Sequence, residues 1–584
     1  MVPLPTATPP LELGMPLSDG TELFYRAWMA SADRKRAIIL CHRGHEHSGR
    51  LDEVARAVAP PDTHVFAWDA RGHGRSPGKR GFAPSFTRMV QDLDDFVRGI
   101  STRHEIDREN IVVVAHSVGA VVASVWVHDH APPIRGLVLV TPALRVKLYI
   151  PGAIPMLRLL HRIKPEAVIS SYVKAKMLTH DQAQVAAYQA DPLITRDISN
   201  RILLQMHDAA TRVIADAGVI EVPTLVLSAG SDWVVSLAAQ RRLVVRLGAT
   251  HKQHIIYPGM HHAILHERDR HLPFAAIRDF VLARFSEPAL SRQSLVEQGS
   301  PATRAAHTIL QRQLSIFSPK RWAFAVTRGA MNTLGRVSTG IATGWKTGFD
   351  SGESLDHVYR NQPSGFTPVG RWFDKAFLSS VGWQGIRQRR VHIIERISGC
   401  LRNVLELQGR AHLVDIAAGP GRYDLDALEK VGDARVTALL RDRSPTGVAA
   451  GQALVAERKL SQVLNAVGDA FDGENLAALN PRPDVAVVSG LYELFPDNAL
   501  IRRSLAGLAQ AVPSGGWLIY TNQPWHPQLE FISRCLINRD GEPWLMRCRS
   551  QAEMDALVAA AGFEKVAMDI DEWGIFTVSV ARRR

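Results

Sequence analysis

Cysteine is scarce. Cys41, Cys400, Cys535 and Cys548 are the four in 584 residues, spaced neither as a disulfide framework nor as a zinc site, which fits a reducing compartment and so the cytoplasm. Long apolar runs are missing too. The most apolar stretch, Ile111 to Val127, carries His116, Ser117 and Ser124 and is too short and too polar for a bilayer span. The opening residues, MVPLPTATPP, have no basic region ahead of an apolar core, so no secretory signal is expected. There is no low-complexity tract and no internal repeat of roughly 20–50 residues. A chain that is 46% hydrophobic and 22% charged is ordinary folded protein, which excludes wholesale disorder and fibrous classes. At roughly 100–200 residues per domain, its length excludes a single ordinary domain.

Two series of short Val-, Ile- and Leu-rich runs alternate with helix-sized segments. The first comprises RAIILC, HVFAWDA, NIVVVAHS, GLVLVTP, PTLVLSAG and HIIYPG. The second comprises HLVDIAAG, ARVTALLRD, PDVAVVSG, GWLIYTNQ, EKVAMDID and GIFTVSVAR. Such runs read as buried strands of parallel α/β sheets, so the fold class is α/β in two domains. Between the series, Arg304 to Lys346 holds seven Lys or Arg and no Asp or Glu. Ile316, Phe317, Trp322 and Phe324 interleave with those cations. The segment reads either as a basic amphipathic stretch that rests on an anionic membrane surface or as a helical linker. It also gives part of the net charge of +12 a location. No aromatic-basic stacking platform accompanies the charge, so no nucleic acid partner is expected.

In the first series, Ala115-His116-Ser117-Val118-Gly119 ends a strand and enters a small-residue helix, a G-x-S-x-G elbow whose first glycine is Ala115. A serine needs a base, and that base needs an orienting carboxylate. Asp232 follows the strand PTLVLSA, and His262 follows HIIYPG, with His261 as a rival base. The chain order Ser117, Asp232, His262 is the one such folds use. His42, His45 and His47 alternate on a loop without a nearby cysteine or carboxylate pair, and no metal is expected there.

In the second series, a strand runs into Gly419-Pro420-Gly421, where glycines let the backbone approach a ligand and Asp415 can accept from it. Asp442 ends the next strand, placed for a ribose diol. Asp469 and Ala470 follow at the third-strand position, where an acid can reach an adenine amino group. Dinucleotide binding competes with S-adenosylmethionine (AdoMet), but Asp424 stands where the third glycine of the dinucleotide fingerprint belongs. Tyr492, Glu493, Trp525 and His526 are candidate pocket residues for a methyl acceptor.

Residues 11–286 resemble the monoacylglycerol lipase and lysophospholipase branch of the α/β-hydrolases, the serine aminopeptidase S33 type. The segment His42-Arg43-Gly44-His45-Glu46-His47-Ser48-Gly49-Arg50 carries the resemblance, together with Asp69-Ala70-Arg71-Gly72-His73-Gly74-Arg75-Ser76. It implies His262 as the base, an oxyanion hole from the N–H groups of Gly44 and Val118, and a helical cap over about 143–221. Arg43 and His45 depart from the small residues of that loop, and Arg43 reads either as a contact for a phosphate or carboxylate of the substrate or as a solvent-facing cation. Residues 341–584 resemble a Rossmann-like class I AdoMet-dependent methyltransferase, after a basic helical linker at 287–340. The whole order is similar to bacterial bifunctional hydrolase/methyltransferases. The resemblance implies lipid or small-molecule substrates and AdoMet as cofactor. The cysteine usage places the enzyme in the cytoplasm, and the amphipathic reading of the basic segment, as against the linker reading, adds a peripheral place at the inner membrane surface. The rival reading is a lipid-surface binding protein that keeps an inactive hydrolase scaffold beside an active methyltransferase.

Overall fold

A large sheet organises each of the two units into which the chain divides, Met1–Ser291 and Arg292–Arg584. The computed structural model describes residues 8–31 and 35–584. In the first unit the strands are β1 (Leu11–Pro16), β2 (Glu22–Trp28), β3 (Ala37–Cys41), β4 (His64–Trp68), β5 (Ile111–His116), β6 (Gly136–Val140), β7 (Thr224–Ala229) and β8 (Lys252–Tyr257). They lie in the order β1-β2-β4-β3-β5-β6-β7-β8. β1 and β2 run antiparallel at one edge; the remainder are parallel. Every residue of β3 to β7 is buried, because layers cover both faces. Alternate side chains feed different layers: Val113 and Ala115 join Phe96 and Trp126, whereas Val112 and Val114 join Ile277 and Phe285. This is the α/β-hydrolase sheet, and Ser117, Asp232 and His262 all follow the carboxyl ends of its strands.

Between β6 and β7 the chain forms helices Ala153–Ile163, Gln182–Ala190 and Asn200–Ala215. It also forms two three-residue strands, Val168–Ser170 and Asp197–Ser199, paired antiparallel. The sequence predicts only helices there, since three residues are too few to display a period of two. The edge hairpin β1–β2 is likewise absent from the predicted series.

The second unit has β9 (Ala411–Asp415), β10 (Val436–Asp442), β11 (Val463–Val467), β12 (Val485–Val488), β13 (Trp517–Asn522), β14 (Phe563–Ile570) and β15 (Thr577–Arg583). Their order is β11-β10-β9-β12-β13-β15-β14. β9 to β13 are parallel, and β15 inserts antiparallel between β13 and β14. This is the doubly wound sheet closed by a hairpin that the class I methyltransferase resemblance implies. The basic segment is helical over Pro301–Gln311 and Pro319–Thr333 and is part of this unit. Glu553 accepts the backbone N–H of Ser300 at 2.9 Å, which ties down the start of the first of these helices.

Candidate active sites in the two units

Ser117 sits at the end of β5 with φ 54° and ψ −110°, a strained conformation of order 1–3 kcal/mol for a residue with a Cβ. The turn is tight enough that a Cβ on Gly119 would lie 2.5 Å from the carbonyl oxygen of His42, so only glycine fits. The Ser117 hydroxyl donates to His262 Nε2 at 2.8 Å. His262 Nδ1–H donates to Asp232 Oδ2, also at 2.8 Å. Asp232 Oδ1 takes the N–H groups of Val234 and Val235 at 2.7 and 2.8 Å. Burial alone would raise the Asp232 carboxyl. The neighbouring His262 and those N–H groups instead hold it below the usual carboxylate range, so it stays charged beside the imidazole. The rival His261 is turned elsewhere, its Nε2 accepting from the Trp233 indole at 3.3 Å. Thr141, a residue the sequence does not flag, donates its hydroxyl to the His262 carbonyl at 3.0 Å and so fixes the base's backbone.

Gly44 lies against the elbow, where a Cβ on it would meet Val118 Cγ2 at 3.0 Å. Among the described residues, neither the Gly44 nor the Val118 N–H is donated to a protein group. Arg43 neither reaches solvent nor offers a free guanidinium to a substrate anion. It is buried, donates Nη2 to Glu46 Oε1 at 2.7 Å, and lies over the ring of Tyr188 from the helix Gln182–Ala190. Arg50 completes the brace through Glu46 and Tyr188, and His47 Nε2 meets Asp191 at 2.9 Å. His45 holds φ +72°, and its carbonyl accepts the N–H of Thr195. His42 is occupied by the Arg43 carbonyl and the Ala70 N–H.

One cluster among the described residues has metal-ligand spacing, His180, His261 and Glu267, with donor atoms within 4.8 Å of one another. Its carboxylate already takes the His261 N–H and the His180 ring.

The second unit encloses a cavity of about 950 Å³ whose walls include Gly419, Asp442, Glu493 and His526. Asp442 Oδ2 accepts the Gly419 N–H at 3.0 Å, and its Oδ1 accepts that of Ser444 at 2.8 Å, so the carboxylate pins the glycine turn from the cavity wall. Gly421 has φ +75°, and a Cβ there would strike Leu440. Trp383, Trp544, Met546 and Phe576 line the apolar part of the cavity. The buried carboxyl of Glu493 has Arg389 at 3.5 Å and an Oε2 without a partner, and burial pushes it above the usual range. His526 Nδ1 accepts the Gln528 N–H at 3.0 Å, which leaves the ring proton on Nε2. Burial lowers this histidine to about 4.

The residues at 277–583 match the family described as "Putative methyltransferase". The uncharacterized protein YnbC of Escherichia coli (strain K12) is 48% identical over 571 residues, 97% of this chain and 97% of its own. The chain belongs to this methyltransferase family. Ahead of the methyltransferase domain, residues 32–269 match the family described as "Serine aminopeptidase, S33". The monoacylglycerol lipase of Mycolicibacterium smegmatis (strain ATCC 700084 / mc(2)155) is 25% identical over 266 residues, 45% of this chain and 94% of its own. The solved monoacylglycerol lipase of Paleococcus ferrophilus covers 45% of this chain and 99% of its own, with 24% identity and a TM-score of 0.42. The chain thus carries a monoacylglycerol-lipase-like hydrolase domain followed by a methyltransferase-family domain. No helix among the described residues is long and apolar enough to cross a membrane.

Within the methyltransferase domain several expected pocket residues lie outside the cavity. Asp415 is fully buried and occupied by the Ala417 N–H and the Tyr423 hydroxyl, so it supports the turn from beneath. Asp469 caps its own turn by accepting the Phe471 N–H, and Ala470 is packed into the core with Phe471. Tyr492 is core as well, its hydroxyl bonded to Ser504, and Trp525 packs with Trp383 and Phe531. Conversely, the walls contain Trp544, which no periodicity or motif marks as ligand-facing, and Trp383 and Arg389 of the segment GWQGIRQRR. That segment reads as a lid over the cofactor whose arginines are free for an anionic head group or solvated, whereas Arg389 is buried against Glu493.

Asp424 is buried beside Asp415 with both oxygens unpartnered. Burial pushes Asp415 up to about 7, with the charge of Asp442 adding to the rise, and pushes Asp424 well above its ordinary value, where the charge of Asp415 adds to it. An unfolded aspartate titrates at about 3.9, so the folded domain holds protons that the unfolded chain releases. The associated stability is full below about pH 4 and is lost as the pH rises toward about 7. Asp424→Asn flattens that fall, measured as melting temperature against pH for both proteins.

Proposed function

We propose that the first domain is a serine hydrolase of lipid-type acyl esters, monoacylglycerol or lysophospholipid, and that the second is an AdoMet-dependent methyltransferase. One observation carries the hydrolase reading: the continuous Ser117–His262–Asp232 hydrogen-bond chain on a strained elbow. His262 takes the Ser117 proton as the oxygen attacks the acyl carbonyl, and Asp232 steadies the imidazolium. The Gly44 and Val118 N–H groups stabilise the oxyanion, each by a few kcal/mol. His262 then protonates the leaving alcohol, and water enters by the same base to release the acid. The helix Ala153–Ile163, with Met156, Leu159 and Ile163 exposed, suits an acyl chain better than a peptide. Labelling by a fluorophosphonate separates this reading from an inactive scaffold, which does not react.

AdoMet supplies a methyl group on an already activated sulfonium, so positioning is what the protein contributes. The cavity volume falls within the range of small-molecule sites. Asp442 stands in its wall with a carboxylate able to take a ribose diol, and Gly419 lets the backbone lie close. Asp424 fills the place where a dinucleotide site needs glycine for close helix packing. Glu493, with its unpartnered oxygen, would take the acceptor's proton, and the His526 Nε2–H would orient the acceptor. Calorimetry is expected to show AdoMet binding that Asp442→Ala weakens by about 10- to 100-fold, the value of a hydrogen bond to a charged group. Binding of NAD alone would overturn the assignment.

A further inference from the structure

We propose that the surface of the methyltransferase domain around residues 312–334 docks on an anionic phospholipid bilayer. The helix Pro319–Thr333 has no buried residue. Its inner side is attached lightly: Phe324 and Met331 pack against a core containing Ile532 and Cys535, and Lys320 pairs with Glu530. Its outer side presents Trp322 and Val326, four residues apart and therefore on one stripe, 63% and 70% exposed. Ile316 and Phe317 precede them, and Leu334 follows. Phe317, at 86%, is the most exposed of these.

These apolar groups are held in place. The Trp322 indole N–H donates to the Ile316 carbonyl at 3.0 Å, and Arg321 Nη1 donates to the Leu314 carbonyl at 3.0 Å. The indole's polar edge is thus satisfied by protein while its apolar body remains open. Phe366, whose N–H donates to Val337, extends the patch together with exposed Val369 and Trp372. An apolar surface of this kind marks an interaction site.

Charge selects the partner. From Arg304 to Lys346 there are seven cations and no acid. Among the described residues, no carboxylate lies within ion-pair distance of Arg312, Arg321, Arg328 or Arg336. Exposed Trp and Phe beside unneutralised arginines fit the boundary between acyl chains and anionic headgroups. The proposal is independent of the methyl acceptor.

The test is flotation of purified full-length protein with vesicles of phosphatidylcholine alone, or of phosphatidylcholine with an equal part of phosphatidylglycerol. The protein floats with the anionic vesicles, fails to float with the neutral ones, and loses binding in high salt. Phe317→Ala with Trp322→Ala, and separately Arg312→Glu with Arg321→Glu, each lower partitioning by about tenfold or more. Arg312→Lys with Arg321→Lys retains it. Hydrolysis of a soluble short ester and an unchanged melt report that the variants are folded. Equal binding to both vesicle types, or to neither, overturns the proposal. It is also overturned if Met156→Glu with Leu159→Glu in the hydrolase domain abolishes flotation while Phe317→Ala with Trp322→Ala leaves it intact.

Discussion

Ser117→Ala lowers turnover of p-nitrophenyl esters by about 10⁴- to 10⁶-fold, with substrate binding little changed, and removes fluorophosphonate labelling. The size follows from cooperation among the three residues: without the hydroxyl, His262 and Asp232 have no proton to move, and only the oxyanion donors and binding act on attacking water. His262→Ala is expected to cost about as much, because an unassisted serine is a poor nucleophile. The double variant should therefore be scarcely worse than either single one, and independent, multiplying losses would show that the residues do not act together. Thermal stability is unaffected or slightly raised, since the strained residue gives up a polar group in a buried site. Turnover in Ser117→Ala equal to the unmodified protein would sink the assignment.

The largest stability effect lies far from that serine. Glu553, fully buried, accepts from Arg547 Nη2 at 2.6 Å and from Asn498 Nδ2 at 2.9 Å. Arg549, equally buried, donates to the carbonyls of Tyr492 and Phe495, each at 2.6 Å, and to Asn498 Oδ1 at 2.9 Å. Burial, with Arg547 nearby, lowers even this guanidinium to about 10. Glu553→Ala leaves two buried cations facing each other without the carboxylate that pairs them, an arrangement that costs about 3–5 kcal/mol. One calorimetric transition of the full chain is expected to move down by roughly 10 °C. Glu553→Gln keeps the acceptor for Ser300 and costs less. Because Arg549 holds the carbonyls on either side of Glu493 and Leu494, the alanine variant also loosens one wall of the cavity. AdoMet is thus expected to restore less of the lost melting temperature than it adds to the unmodified chain. A melt unchanged by Glu553→Ala would contradict the burial argument.

Both sheets were legible because strands covered on two faces are written as unbroken runs such as IVVVAH and VAVV, and because turn chemistry punctuates them. Ser117, Asp232 and His262 were legible because each follows such a run, and strand ends converge on one edge of the sheet. The methyltransferase pocket was legible mainly where it follows a strand end, at Gly419, Asp442, Glu493 and His526. Tyr492 neighbours Glu493 in sequence but packs into a separate core cluster, and Trp525 neighbours His526 but packs against the apolar cluster of Trp383 and Trp544 without lining the cavity, distinctions that composition does not record. Arg389 and Trp383 enter the cavity from a helix that precedes the whole sheet, in the segment GWQGIRQRR whose arginine cluster marks it as a candidate lid, whereas Trp544 enters from an irregular loop that no local pattern announces. Arg43 shows the converse: its departure from the motif suggested a ligand contact, but its partner Glu46 lies three residues away in the same loop.

That brace has a further consequence. The loop that supplies Gly44 is bound through Arg43, His45, His47 and Arg50 to Tyr188, Thr195 and Asp191, all on the segment between β6 and β7. Any displacement of that segment to admit a substrate would pull on the loop that carries the proposed Gly44 donor, which couples admission to the placement of that donor through one mechanical element. Trimming the segment away would therefore not yield a more permissive esterase. It would yield an accessible serine with its base and the Val118 N–H in place beside a Gly44 loop that has lost its brace.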